Sequence, residues 1–218
     1  MVAVIRRHLP NTLTVLRVVL AAAFFATLNA YRFPDIQVWW ANVAILLFIL
    51  AAITDALDGH LARRWQVESL FGRLMDPFCD KILIIGAFIY LAGPRFVMVE
   101  STIDGTTEVT MATSVYPWMV VVILARELLV TGIRGVVESQ GISFGSQWSG
   151  KAKMILQSIT VPLVLVLVVN FNPAENAWAY RTCQGLVYLT VIVTVWSGLP
   201  YIVGLRSMTV RSPKATAS

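Results

Sequence analysis

Ala51-Ala52-Ile53-Thr54-Asp55-Ala56-Leu57-Asp58-Gly59-His60-Leu61-Ala62-Arg63 decides how the chain reads. It follows a charge-free apolar run, residues 36–54. A membrane helix needs about 20 such residues, so this run can cross a bilayer. Asp55 and Asp58 then stand about 60° apart on a helix, facing much the same way. A second charged stretch follows: Gly72-Arg73-Leu74-Met75-Asp76-Pro77-Phe78-Cys79-Asp80-Lys81. Asp76 and Asp80, four residues apart, share a face of the next helix. That helix starts either at Pro77, with Asp76 as its cap, or earlier, with Gly72 one turn below Asp76.

Further charge-free stretches run over 18–31, 82–94, 109–125, 154–174 and 182–205. Residues 36–54, 154–174 and 182–205 can span alone. The other three must continue through Arg17, through Asp80 and Lys81, or through Arg126 and Glu127. Six helices are therefore expected, roughly 11–30, 36–58, 75–93, 115–138, 151–170 and 178–204. The fold class is an all-α membrane protein, with Val2–Leu9 as a short amphipathic helix in the interface. Residues 1–206 read as one polytopic domain and 207–218 as a disordered tail. Composition agrees: of 218 residues, 57% are hydrophobic and 13% charged, whereas a soluble domain carries roughly 25% charged residues. A soluble domain, a disordered chain and a coiled coil are all excluded. The two cysteines, Cys79 and Cys183, supply neither a metal framework nor a disulfide pattern.

Six spans place both termini on one side. All but Arg32, Arg95 and Arg181 of the 17 Lys and Arg residues fall on that side or on helix ends beside it. The positive-inside rule makes it cytoplasmic. The net charge of +5 thus marks orientation in an inner membrane, not nucleic-acid binding. On the outer side, Phe96–Glu100 and Thr106–Met111 flank Asp104-Gly105. That pattern fits a β-hairpin or a flexible polar loop.

Four carboxylates at a membrane boundary are expensive, because a mid-bilayer Asp costs on the order of 3 kcal/mol. Clustered, they also repel one another. Two divalent cations would answer both problems, and carboxylate oxygens suit a hard ion such as Mg²⁺, with Mn²⁺ as the alternative. Two ions held by Asp55, Asp58, Asp76 and Asp80 can clamp a phosphoryl group. Gly59, Ala62 and Gly72 are then small so that a bulky phosphorylated substrate can approach the backbone, and Arg63 can neutralise remaining phosphate charge. The competing reading, isolated ion-pair partners and a helix end, does not account for eight positions in register over residues 55–80.

That register, D-x2-D-G-x2-A-R-x8-G-x3-D-x3-D, resembles the signature of the CDP-alcohol phosphotransferase family at every position: Asp55, Asp58, Gly59, Ala62, Arg63, Gly72, Asp76 and Asp80. The resemblance implies six transmembrane helices, a homodimer, two metal ions, a CDP-linked donor and release of CMP. It also implies that Asp80 is the general base. Pro10-Asn11-Thr12-Leu13-Thr14-Val15-Leu16-Arg17, Ala62-Arg63-Arg64-Trp65, Arg126-Glu127 with Arg134, and Gly150-Lys151-Ala152-Lys153 are similar to the branch that makes phosphatidylglycerophosphate. By that likeness CDP-diacylglycerol is the donor, Asn11, Thr14 and Ser69 join its site, and glycerol 3-phosphate is the acceptor. Another acceptor, such as inositol phosphate, is the alternative.

An anionic acceptor needs fixed cations. Arg126 and Arg134 stand about 80° and 12 Å apart on one helix. Lys151 and Lys153 open the next helix, whose amino-terminal dipole adds positive potential. The cluster suits a phosphate. Two plainer readings stay open here: a structural Arg126–Glu127 pair, and positive-inside anchoring by Lys151 and Lys153. Arg17 is expected either to pair with a carboxylate of the site or to meet lipid phosphate. An intramembrane prenyltransferase would space its carboxylates differently, and a cation transporter would need acids along a through-path.

Overall fold

The computed structural model describes the backbone of residues 2–34, 36–65, 70–103, 106–139 and 148–210. Side chains are described for residues 12–34, 36–55, 57, 78, 79, 81–98, 109–137, 139 and 148–203. Six helices carry the chain: α1 (Val2–Ala30), α2 (Val38–Trp65), α3 (Leu70–Leu91), α4 (Pro117–Ser139), α5 (Trp148–Phe171) and α6 (Ala177–Val210). Between α3 and α4 stand a short 3-10 turn (Pro94–Phe96) and two strands, β1 (Val97–Ile103) and β2 (Thr106–Met111). The strands pair antiparallel, Ile103 opposite Thr106, with an irregularity between Val97 and Val99. The hairpin is therefore the correct reading of the outer segment; its Asp104-Gly105 turn lies outside the described residues.

Several expected boundaries need correction. α1 is one helix from Val2, not an interfacial helix followed by a span. Between Val2 and Ala30 only Pro10 opposes a helix; it removes one backbone hydrogen bond, and membrane helices tolerate this. α2 does not end near residue 58 but runs through Gly59 to Trp65, because Leu61, Ala62, Arg63 and Arg64 are good helix formers. α3 begins at Leu70, which puts Asp76 and Pro77 in its second turn and excludes a start at Pro77. α5 begins at Trp148, so Lys151 and Lys153 lie in its first two turns. α6 continues to Val210, into the expected tail; residues 211–218 lie outside the described residues.

Among the described residues, four helical segments are long and apolar enough to cross a membrane: Thr12–Ala30, Val38–Asp55, Trp148–Phe171 and Ala177–Val203. α3 and α4 carry the charged residues that their spans were expected to include. At 23 residues, α4 is about 34 Å long, enough for a hydrocarbon core of about 30 Å. The chain is an all-helical membrane protein.

Each helix buries one stripe with alternating steps of three and four. On α1 the stripe is Thr14, Arg17, Ala21, Phe24 and Leu28; on α2 it is Ala41, Ala44, Phe48 and Ala51. Small residues on α2 let the two backbones approach, and Phe24 meets Phe48 edge-on at 5.4 Å. Extended by four, the α2 stripe arrives at Asp55. α3 buries Leu83, Ile84, Ala87, Phe88 and Leu91; stepping back by fours from Ile84 arrives at positions 80 and 76. Large aliphatic residues such as Val19, Leu46, Val121 and Ile192 stay exposed, as lipid-facing residues do.

α5 and α6 pack along a polar seam. Gln157 Nε2 donates to Thr194 Oγ1 at 3.2 Å, and the Thr160 and Thr190 hydroxyls are 2.8 Å apart. All four are buried. Hydrogen bonds of this kind fix which helices pair in lipid, where apolar burial alone does not.

Candidate active site

The buried stripes of α1 and α2 converge on an ion pair. Arg17 Nη1 stands 2.8 Å from Asp55 Oδ1; the Arg17 side chain is 1% exposed and that of Asp55 24%. The carboxylate is thus compensated by a buried guanidinium while remaining partly exposed. A cavity of about 250 Å³ adjoins it, lined by Arg17 and Asp55 together with Leu83, Ile84, Met154 and Ile159. Positions 76 and 80 stand two turns and one turn before Ile84 on the same stripe of α3, and position 58 is one turn beyond Asp55 on α2. The backbone thus keeps positions 58, 76 and 80 in helical register with the lining residues Asp55 and Ile84.

Asp55 is the one motif aspartate with a described side chain; the side chains of Asp58, Asp76 and Asp80 lie outside the described residues, as do those of Asn11, Arg63 and Ala62. Gly59 and Gly72 are placed on α2 and α3 by backbone alone, and Ser69 lies wholly outside. Among the described residues no three metal-ligating side chains assemble. The donor set still fits a hard divalent ion: four carboxylates in helical register, with an arginine already offsetting one of them. Thr14 is buried one turn before Arg17 on α1.

Of the four expected basic residues, Arg126 lies in the middle of α4, Arg134 nearer its end, and Lys151 and Lys153 open α5; α6 contacts both arginines. Glu127 Oε1 accepts from Lys153 Nζ, linking α4 to α5, and from Arg126 Nη1 at 3.2 Å. Arg126 Nη2 donates to the carbonyl of Ser197 at 3.2 Å. The Arg126 stem lies close to Gly198 of α6, where a Cβ would meet Arg126 Cγ at 3.4 Å. Tyr201, fully buried, lies against both Arg126 and Arg134. Lys151 is exposed, 5.6 Å from the Trp148 ring.

Both open readings of this cluster thus have geometric content. The Arg126–Glu127 pair exists and extends to Lys153, which is buried rather than anchored at the surface. Lys151 has the exposed position of an anchoring residue. A smaller cavity touches Lys81, Glu127, Lys153 and Gln157, and Ile84 and Met154 line both cavities. The carboxylate end and the basic cluster are therefore neighbours across two side chains. Lys81 also donates to Thr131 Oγ1, tying α3 to α4.

Sequence reasoning missed Tyr201 and the reach of Glu127 to Lys153. A signal for Tyr201 was available: it continues the stripe Cys183, Val187, Thr190, Thr194 and Ser197 on α6. Cys79 and Cys183 are free and buried, as apolar fillers should be.

Residues 7–196 match the family model for CDP-alcohol phosphatidyltransferase. The chain belongs to that family of membrane transferases, whose chemistry uses divalent metal ions. Among curated relatives, the CDP-diacylglycerol–glycerol-3-phosphate 3-phosphatidyltransferase of Salmonella typhimurium (strain LT2) is 29% identical over 201 residues, covering 91% of this chain and 95% of the relative. The enzyme of the same name from Escherichia coli (strain K12) is 28% identical over 202 residues, covering 92% and 96%.

Proposed function

We propose that the protein transfers the phosphatidyl group from CDP-diacylglycerol to sn-glycerol 3-phosphate, giving phosphatidylglycerophosphate and CMP. One observation carries the reading: the carboxylate stripe that ends at Asp55 and the basic cluster of α4, α5 and α6 adjoin across Ile84 and Met154. A group-transfer enzyme for two anionic substrates needs this pairing, with metal-binding carboxylates for the donor and fixed cations for the acceptor. Relatives that match almost end to end carry the name of this reaction.

Asp55, Asp58, Asp76 and Asp80 would hold two Mg²⁺, or Mn²⁺. Bound there, the ions supply charge neutralisation for the pyrophosphate and for departing CMP. Arg17 holds the Asp55 carboxylate in place from its buried side. Gly59, Ala62 and Gly72 leave room for the cytidine, with Arg63, Ser69, Asn11 and Thr14 completing the donor site. Arg126, Arg134, Lys151 and Lys153 provide the positive field for the acceptor phosphate, Lys153 through its partnership with Glu127. Asp80 takes the proton from the sn-1 hydroxyl. That oxygen bonds to the β-phosphorus as the bond to the CMP oxygen breaks. The donor's acyl tails remain in lipid. The active site and both termini face the cytoplasm from an inner membrane, and the protein works as a homodimer.

The test is CMP release from CDP-diacylglycerol by purified protein, one acceptor at a time. Glycerol 3-phosphate should support release with Mg²⁺ present. Release with inositol phosphate and none with glycerol 3-phosphate would assign another member of the family.

A further inference from the structure

Arg126 and Arg134 lie about 12 Å apart along α4, too far to brace one another. Tyr201 fills the interval from α6. The guanidinium carbon of each arginine is 5.9 Å from the Tyr201 ring centroid, within the range of a cation–π contact. Arg134 Nη2 also donates to Tyr201 Oη at 3.4 Å. The tyrosine is 1% exposed, so packing leaves its ring little freedom. Both arginines keep a buried Nε without a hydrogen-bond partner among the described residues. Each guanidinium is thus held from one side and carries an unsatisfied donor on another. An oxyanion satisfies such donors, and a phosphate with three acceptor oxygens can serve both arginines.

Resting on the reading that this cluster receives the acceptor phosphate, we infer that Tyr201 is a positioning residue for it. The ring sets the spacing of Arg126 and Arg134, and the hydroxyl fixes the plane of Arg134. The pair then meets a phosphate dianion without reorganising.

The experiment compares wild type, Tyr201→Phe, Tyr201→Leu and Arg134→Ala in the full chain, measuring both KM values, kcat and the melting temperature. Tyr201→Leu loses the ring contacts and should raise acceptor KM about tenfold. Tyr201→Phe keeps the ring, loses one hydrogen bond and should raise it about threefold. Donor KM and kcat should stay near wild type in both. If Arg134→Ala raises acceptor KM while both tyrosine variants leave it unchanged, the role of Tyr201 is overturned. If Arg134→Ala also leaves it unchanged, the acceptor-site reading itself falls. Should Tyr201→Leu fail to fold, Tyr201→Phe decides. An unchanged acceptor KM, or equal changes in both KM values with a lowered melting temperature, would reduce Tyr201 to core packing.

Discussion

Replacing Glu127 with Gln tests whether the basic cluster is held by one carboxylate. Glu127 Oε1 accepts from Lys153 Nζ and Arg126 Nη1. The Glu127 and Lys153 side chains are only 11% and 9% exposed, so water cannot replace the lost charge. Breaking a buried pair by removing one partner costs about 3–5 kcal/mol. Glutamine keeps the shape and one acceptor oxygen, so the loss should approach a charge-assisted hydrogen bond, about 2–3 kcal/mol. Adding Lys153→Met removes the charge that Glu127 faces and should recover at least about 1 kcal/mol, a coupling expected of direct contacts. Unfolding in detergent can be followed with a thiol-reactive dye, because Cys79 and Cys183 are both free and buried. If the two substitutions add to within about 0.5 kcal/mol, Glu127 and Lys153 are not energetically coupled and the argument fails.

Three further outcomes are expected. Arg134→Ala should lower kcat/KM for glycerol 3-phosphate roughly tenfold to hundredfold, with donor KM nearly constant, as for a lost charge-assisted hydrogen bond; steady-state kinetics with each substrate varied in turn would show it. Asp55→Asn, Asp58→Asn and Asp76→Asn should each lose most activity and weaken divalent-metal binding measured by calorimetry; wild-type turnover in excess EDTA would contradict this. Gly59→Leu should block binding of CDP-diacylglycerol without unfolding the chain, and unchanged donor affinity would assign Gly59 to helix packing instead.

Much of the architecture was legible because lipid imposes a simple rule. A helix must be long and apolar, and a charge inside it must have a reason. Six helices, their order and the charged pair of spans follow from that rule. Helix ends were less legible. Asp58-Gly59 looks like a stop and is not, since a glycine within a helix costs only about 1 kcal/mol relative to alanine. Pro77 looks like a start and lies in a second turn. The carboxylate register was readable because helical spacing is local. The partners of those charges were not, because they depend on which stripes pack together. Arg17 meets Asp55 only because the α1 and α2 stripes face one another. Lys153 meets Glu127 only because α4 and α5 both pack against α6. Tyr201 carries no formal charge and belongs to no motif; its place on the α6 stripe is readable, but its contact with the arginines shows only when α6 is placed over them.

The most direct test of the central claim follows isotope from glycerol 3-phosphate into lipid. Purified protein is incubated with CDP-diacylglycerol, Mg²⁺ and labelled glycerol 3-phosphate, and the chloroform phase is counted alongside CMP. Label should enter lipid in equal moles to CMP, and Asp80→Asn or excess EDTA should abolish both. CMP formed with no label in lipid would mean hydrolysis or a different acceptor, and would contradict the assignment of glycerol 3-phosphate.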